Sequence, residues 1–387
     1  MRLLKELVGF KTVTTSYANP PQDSRSLINF LEGILKDLGF ECKILEKIKG
    51  FPNLVAELDC EKRKTVCFVT HYDVVPASDD WKTDPFVAKK VGDKIYGRGT
   101  SDAKGGIVAF IEALKELEDS EFNVKFICVG DEEIGGKAGI HWLFTRKKKL
   151  VDADVFYVID CGTEGVEIGC SSTISGKIRV FGKRGHSAYP FKFVNALEKT
   201  ILLAQKLLEW KELEKKHVSK KARAPRNSIS KFLWNRFSIT MLHAGEKPNV
   251  IPGISDIIFN WRLIPEENVE RRKQEFLKRI QAWKKEVGMK CKVEFLSVRQ
   301  GYVMDENDEY VEMLRKIVES IRKRKVECLC AFGSTDGSII FHSTKKPTIG
   351  FGPIDKDSNF HGDNEFIRIS TLKLVKDVIK RFLTPSS

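Results

Sequence analysis

Three short apolar runs, residues 65–70, 124–129 and 155–159, alternate with stretches of helical periodicity, and this pattern constrains the fold more than any other feature. A strand apolar on both faces cannot lie open to water. Such strands belong in a mainly parallel sheet covered by helices on both sides. Upstream, residues 24–38 carry helical spacing, and 41–47 and 53–58 read as strands. Helices are predicted near 105–118 and 138–146.

From residue 176 the order changes. A strand at 177–182 and a helix at 195–210 precede strands at 237–242 and 257–263, a helix at 267–286 and a strand at 291–296. That order, β-α-β-β-α-β, is ferredoxin-like. A basic segment, 211–236, interrupts it and is expected to be a surface insertion. Helices and strands resume over 309–318, 335–342, 347–352 and 370–382. The expectation is therefore an α/β catalytic domain built from 1–175 and 299–387 on a mainly parallel, mixed sheet. Residues 176–298 would form a nested domain.

Composition excludes several classes. At 387 residues, 42% hydrophobic and 31% charged, the chain can bury a large core and has no disordered character. No window approaches the roughly 18 uninterrupted apolar residues of a membrane span. The opening Met1-Arg2-Leu3-Leu4-Lys5-Glu6 interrupts its apolar residues with charge, so a cytoplasmic protein is expected. Nine cysteines, an odd number with no C-x-x-C pair, fit reduced thiols. The net charge of +13 gathers in Arg146-Lys147-Lys148-Lys149, in residues 215–226 and in Arg322-Lys323-Arg324-Lys325. No aromatic residues interleave those runs and no nucleic-acid motif accompanies them. They read as solvated faces, with no nucleic-acid partner.

Chemistry gathers at the carboxyl ends of the three apolar runs. His71 and Asp73 follow the first, Asp131-Glu132-Glu133 the second and Asp160 the third. In open α/β sheets this is the edge where ligands bind, so these side chains can converge. Between them, Gly97-Arg98-Gly99-Thr100-Ser101-Asp102 gives a tight turn that either brings Asp102 inward or leaves it capping a helix. His361 sits in a late polar turn. His71, Asp102, Glu133, Asp160 and His361, with no cysteine among them, suit two zinc ions bridged by one carboxylate. Glu132, beside a ligand, is a candidate base for activating water.

These strings in this order resemble the M20 metallopeptidase family of acetylornithine deacetylases, succinyl-diaminopimelate desuccinylases, aminoacylases and carboxypeptidases. The resemblance is carried by His71-Tyr72-Asp73-Val74-Val75-Pro76, Tyr96-Gly97-Arg98-Gly99-Thr100-Ser101-Asp102, Asp131-Glu132-Glu133-Ile134-Gly135, Gly185-His186-Ser187, Asn249-Val250-Ile251-Pro252 and His361. It implies that His71 and Asp160 hold one zinc, that Glu133 and His361 hold the other, and that Asp102 bridges, with Co2+ or Mn2+ able to substitute. It implies further that Asp73 orients His71, that Glu132 is general base and then acid, and that a cis peptide follows Asp102. His186 would stabilise the oxyanion in a neighbouring subunit, making the nested domain a dimerisation domain and the protein a homodimer. Asn249, Arg262 and the turn Gly333-Ser334-Thr335 resemble residues that hold the substrate. The implied reaction is hydrolysis of a small N-acyl amino acid, or alternatively of a dipeptide or a peptide's carboxyl end. One departure stands out. Where desuccinylases carry an arginine-containing turn, this chain has Gly169-Cys170-Ser171-Ser172-Thr173.

Overall fold

The computed structural model describes residues 1–226 and 228–384. Position 227, inside the expected basic insertion, and residues 385–387 lie outside the described residues. Two compact units divide the chain: Met1–Ile168, Met304–Leu329 and Ile339–Ser387 form the first, and Gly169–Val303 with Cys330–Ser338 form the second. The division falls earlier than 175/176 because Ser172–Phe181 is one continuous strand, paired along its length with strands of the second unit on both sides. Residues 330–338 group with the second unit for a local reason. Arg236 donates to the Phe332 carbonyl, and the Ser338 hydroxyl donates to the Gln300 carbonyl.

In the first unit the strands Asn123–Val129, Thr65–His71, Val155–Val158 and Thr348–Gly350 lie side by side and parallel. Pro52–Leu58 and then Glu41–Glu46 extend one edge antiparallel. The central strands are buried nearly throughout, as their unbroken apolar runs require. Helix Lys104–Lys115 covers one face and is itself buried over ten of its twelve residues. Its Phe110 stacks on Phe126, centroids 4.5 Å apart, and tilts against Phe68 at 5.0 Å. That helix stops three residues before its sequence pattern does, because the Ser120 hydroxyl bonds the backbone of Phe122 and turns the chain. Parallel register sets His71 opposite Val129 and Val69 opposite Val158, so the three chemically loaded strand ends open at one edge.

The second unit carries a four-stranded antiparallel sheet in the order Arg236–Ala244, Ile254–Leu263, Ser172–Phe181, Lys290–Arg299. Helices Ala196–Glu214 and Val269–Val287 pack on it, which is the ferredoxin-like arrangement. Asn195 and Asn268 cap their first turns by accepting backbone N–H groups, and Gly288 at φ 63° ends the second helix. Ile254–Leu263 alternates buried and partly buried residues, the period-two signature of a half-covered sheet. Trp210, Phe237, Phe259, Trp261 and Phe276 form the core between helices and sheet. The basic segment 211–236 is only partly at the surface. It continues the first helix to Glu214 and then makes a hairpin of Val218–Arg223 with Phe232–Trp234, burying Ser219, Ala222 and Leu233. Its positive charges had hidden these inward residues. No helix among the described residues is long and apolar enough to cross a membrane.

A side chain at Gly105 would place a Cβ 2.2 Å from the Thr100 carbonyl and 2.7 Å from Ile367. Gly105→Ala is therefore expected to destabilise by about 1–3 kcal/mol, the usual cost of overpacking. Gly33→Ala, mid-helix with nothing within 4 Å, should instead stabilise by up to about 1 kcal/mol. Denaturant titrations of both variants check the contrast.

Candidate metal centre

Asp102 lies at the end of the Gly97–Asp102 turn with its two oxygens facing opposite ways. Oδ1 is 3.0 Å from His71 Nε2, and Oδ2 is 3.0 Å from His361 Nε2. Asp160 Oδ2 stands 3.5 Å from His71 Nε2, and Glu133 Oε2 3.1 Å from His361 Nε2. Two triads result, His71–Asp102–Asp160 and Asp102–Glu133–His361, each with its ligand atoms within 4.8 Å of one another. They share Asp102. The sequence left open whether this residue merely caps a helix; helix Lys104–Lys115 has Ala103 at its cap position and no side-chain capping bond. The peptide bond from Asp102 to Ala103 is cis, as the resemblance implied.

Each side chain is positioned by a local device. His71 Nδ1 lies 3.0 Å from the Asp73 carbonyl oxygen and 3.4 Å from its carboxylate, which turns Nε2 toward Asp102. The Asp73 carboxylate also accepts the backbone N–H of Glu132 and of Glu133, at 3.2 and 3.1 Å. One buried acid thus joins the first strand end to the second. Asp131 holds the rest of that loop, accepting from the Tyr17 hydroxyl and the Gly139 N–H. His361 adopts φ 61°, left-handed backbone that histidine tolerates better than most residues, between Asn359 and Asn364 in the same region.

Glu365 and Arg98 hold the turn that carries Asp102, a role that sequence reasoning missed. The Glu365 carboxylate accepts from the backbone N–H of Gly99, Ser101 and Asp102 and from the Ser101 hydroxyl, while Arg98 pairs with it at 2.9 Å. All of this is buried. Glu365 therefore fixes the turn that delivers Asp102. Its only sequence signal was a place in the polar turn after His361, and nothing there distinguishes a buried acid from a solvated one.

The electrostatics are those of carboxylates and imidazoles crowded together in a largely buried site. Burial disfavours the charged form of His71, yet the hydrogen bonds it can donate to Asp102, Asp160 and Asp73 outweigh burial and raise its pKa well above the ordinary value. Bonds to Asp102 and Glu133 push His361 up to about 10. Burial, opposed by His361, lifts Glu133 to about 6, and burial with the Asp102 charge raises Asp160. Asp102 itself is held below the carboxylate range, because the two histidines overcome its burial. Glu133 Oε1 and Asp160 Oδ1 are buried without a hydrogen-bond partner. Orphaned carboxylate oxygens beside imidazole nitrogens, with no thiolate, fit two borderline-hard divalent cations.

The remaining candidates belong to the second unit. His186 pairs with Val250 in a two-residue bridge and accepts the Ala188 N–H at Nδ1, 3.1 Å, so its neutral ring carries the proton on Nε2. The Asn249 carbonyl accepts the Ser187 N–H, which ties that loop to His186. Arg262 Nη1 donates to Thr173 Oγ1 at 2.6 Å. In the turn Gly333-Ser334-Thr335 both hydroxyl oxygens are buried and unpartnered among the described residues, and a helix starts at Asp336. The turn without an arginine is also supplied with one: Arg236 Nη2 donates to Ser171 Oγ at 2.6 Å.

A carboxylate shared between two His/carboxylate sets at the edge of a parallel sheet defines a dinuclear metal-dependent hydrolase. The chain belongs to Peptidase family M20/M25/M40, which it matches over residues 67–384. It is 33% identical over 280 residues to a succinyl-diaminopimelate desuccinylase of Sulfurovum sp. (strain NBC37-1), covering 69% of each chain. It is 29% identical over 399 residues to one of Rickettsia canadensis, covering 98% of this chain and 97% of that one. Among solved structures it resembles an M20 family metallo-carboxypeptidase from Sulfolobus solfataricus, with TM-score 0.82, 18% identity and coverage of 98% and 97%. Human carnosine dipeptidase 1 is similar at TM-score 0.75 and 21% identity, covering 98% and 95%.

The raised pKa values of His71 and His361 favour their protonated forms, and a histidine must lose its proton to become a ligand. Metal binding should therefore release protons, and affinity should rise with pH. Calorimetry in buffers of differing ionisation enthalpy measures the release. Uptake of metal without proton release would contradict the pairing.

Proposed function

We propose that the protein is a zinc-dependent deacylase that hydrolyses the amide bond of small N-acyl amino acids. The shared carboxylate of Asp102 is the observation that carries this reading, and the desuccinylases among its relatives support it. His71 and Asp160 would hold one zinc, Glu133 and His361 the other, with Co2+ or Mn2+ as substitutes. When bound, the ions supply Lewis acidity toward the amide carbonyl and toward water. Glu132 takes the proton of the attacking water and later delivers it to the leaving amine, so that acid and amine products balance the water consumed. Asp73 keeps Glu132 and Glu133 in place through their backbone N–H groups.

In the second unit, His186 carries its proton on Nε2 and so can donate to the oxyanion of a neighbouring subunit's reaction. Asn249, Arg262 and Gly333-Ser334-Thr335 hold the substrate carboxylate, for which a guanidinium fork is the matching shape. A homodimer made through residues 176–298 follows from this role of His186. Nine cysteines, an odd number with no C-x-x-C pair, support a reducing, cytoplasmic setting. A dipeptidase or carboxypeptidase would use the same residues, and the structural neighbours of those classes share the fold. Parallel assays on N-acetyl and N-succinyl amino acids and on dipeptides, with zinc, manganese or cobalt, separate the two.

Glu132→Gln keeps the shape of the side chain and removes its basicity. It should lower kcat by at least about 100-fold, the scale of general-base loss, with metal content unchanged. Retained turnover would remove Glu132 from this role. His186→Ala and Glu132→Gln chains, each inactive alone, should complement when mixed: random pairing restores about a quarter of wild-type sites, one per heterodimer. Absence of complementation in verified heterodimers would place His186 in its own subunit's reaction or in none.

A further inference from the structure

Residues 10–17 belong to none of the helices or named strands, and none of their side chains joins the hydrophobic core. They run instead along three of the loops that build the metal centre. The Phe10 carbonyl accepts from Lys104 Nζ at 2.8 Å, and that lysine, just beyond Asp102, is fully buried. Thr12 and Thr14 clasp Val74: its N–H donates to the Thr12 carbonyl and its carbonyl accepts the Thr14 N–H, both at 3.0 Å. The Thr12 hydroxyl donates to the Tyr72 carbonyl at 2.7 Å, so these bonds flank Asp73 along the chain. Tyr17 then reaches the third loop, donating to Asp131 Oδ2 at 2.8 Å and accepting the Lys137 N–H at 2.9 Å.

The third loop, residues 131–139, carries Glu132 and Glu133 and has little else to hold it. Its only helical piece is the single turn Glu132–Ile134, none of whose residues is fully buried. Gly135 and Gly136 follow at φ 104° and 68°, and glycine brings no side chain to pack and little backbone restraint. Order in the loop therefore rests on hydrogen bonds. Asp73 collects the N–H groups of Glu132 and Glu133, and Asp131 collects those of Ala138 and Gly139. Tyr17 joins the start of the loop to its end, the Asp131 carboxylate to the Lys137 backbone, by using one hydroxyl as donor and acceptor at once. Its ring rests against Phe51, with centroids 5.4 Å apart. Phenylalanine at this position would keep the ring and remove both bonds.

We propose that residues 10–17 form a strap that sets these three loops relative to one another, and that Tyr17 is a positioning residue for the reaction, holding Glu132 in place through Asp131 and Lys137. This rests on the reading of Glu132 as general base. Tyr17 acts through the backbone of residues 131–139 and contributes no proton of its own. A base must keep its distance and angle to the water it deprotonates, and small misplacements cost rate steeply. The strap's polar ties to loop backbone, in place of apolar burial, suit that task.

Two measurements on the full chain test this. The first needs no turnover: hydrogen exchange followed by mass spectrometry should show the amides of residues 132–139 exchanging about 3- to 10-fold faster in Tyr17→Phe, the scale of one lost hydrogen bond. The second is kinetic, at saturating zinc and well below Tm. Tyr17→Phe should lower kcat about 10-fold on the acyl or peptide substrate the protein turns over, with KM within about threefold. In the Glu132→Gln background the same substitution should cost less than about twofold, because no base remains to be misplaced. Tyr17→Leu, which also loses the contact with Phe51, should lower Tm further than Tyr17→Phe but kcat no more. Unchanged loop exchange, a lowered Tm with wild-type kcat in Tyr17→Phe, or an equal loss in both backgrounds would overturn the proposal. Full turnover by Glu132→Gln would overturn the base assignment and with it the catalytic part of the proposal, while faster loop exchange in Tyr17→Phe would leave the strap standing.

Discussion

Everything in the first unit converges on one carboxylate placed between two imidazoles. Asp102 is buried, and a buried anion persists only when cations or hydrogen-bond donors surround it. Here His71 and His361 approach its two oxygens separately, so the residue cannot serve one without the other. The constraint propagates outward. The turn carrying Asp102 must be rigid, which Glu365 secures by collecting three backbone N–H groups, and Glu365 in turn needs the guanidinium of Arg98. Gly105 must lack a side chain because the Thr100 carbonyl of the same turn lies against it.

The same crowding accounts for the electrostatics. Asp102, Glu133, Asp160 and Glu365 stand within one buried region, and all but Asp102 have raised pKa values for that reason. Acids crowded in this way would be a poor structural core, because burying charge costs more than ion pairs return. The arrangement is economical only as a ligand set. A histidine that binds a cation through Nε2 gives up its proton there, so metal binding and proton release should be linked.

The legible part of this protein was the part written as local pattern. Unbroken apolar runs gave the central strands, and their ends gave His71, Glu133 and Asp160. Burial of polar groups is a tertiary property, so Glu365 and Arg98 looked like ordinary loop residues. Residues 172–176, Ser-Thr-Ile-Ser-Gly, lack the apolar density of a strand, and pairing on both sides made them one. Arg236 was concealed by its basic surroundings. Only the register, which sets it opposite Arg262, distinguishes it from the solvated lysines nearby.

The two faces of the second unit's sheet differ: one builds the core under the helices, and the other sets Arg236 opposite Arg262. The central claim, however, concerns Asp102. Anomalous diffraction at the zinc edge from zinc-loaded crystals tests it most directly. The account predicts two peaks, one about 2.0–2.2 Å from His71 and Asp160 and one at the same distance from His361 and Glu133, with Asp102 in contact with both. A single peak, or two peaks with Asp102 bound to only one, would contradict it.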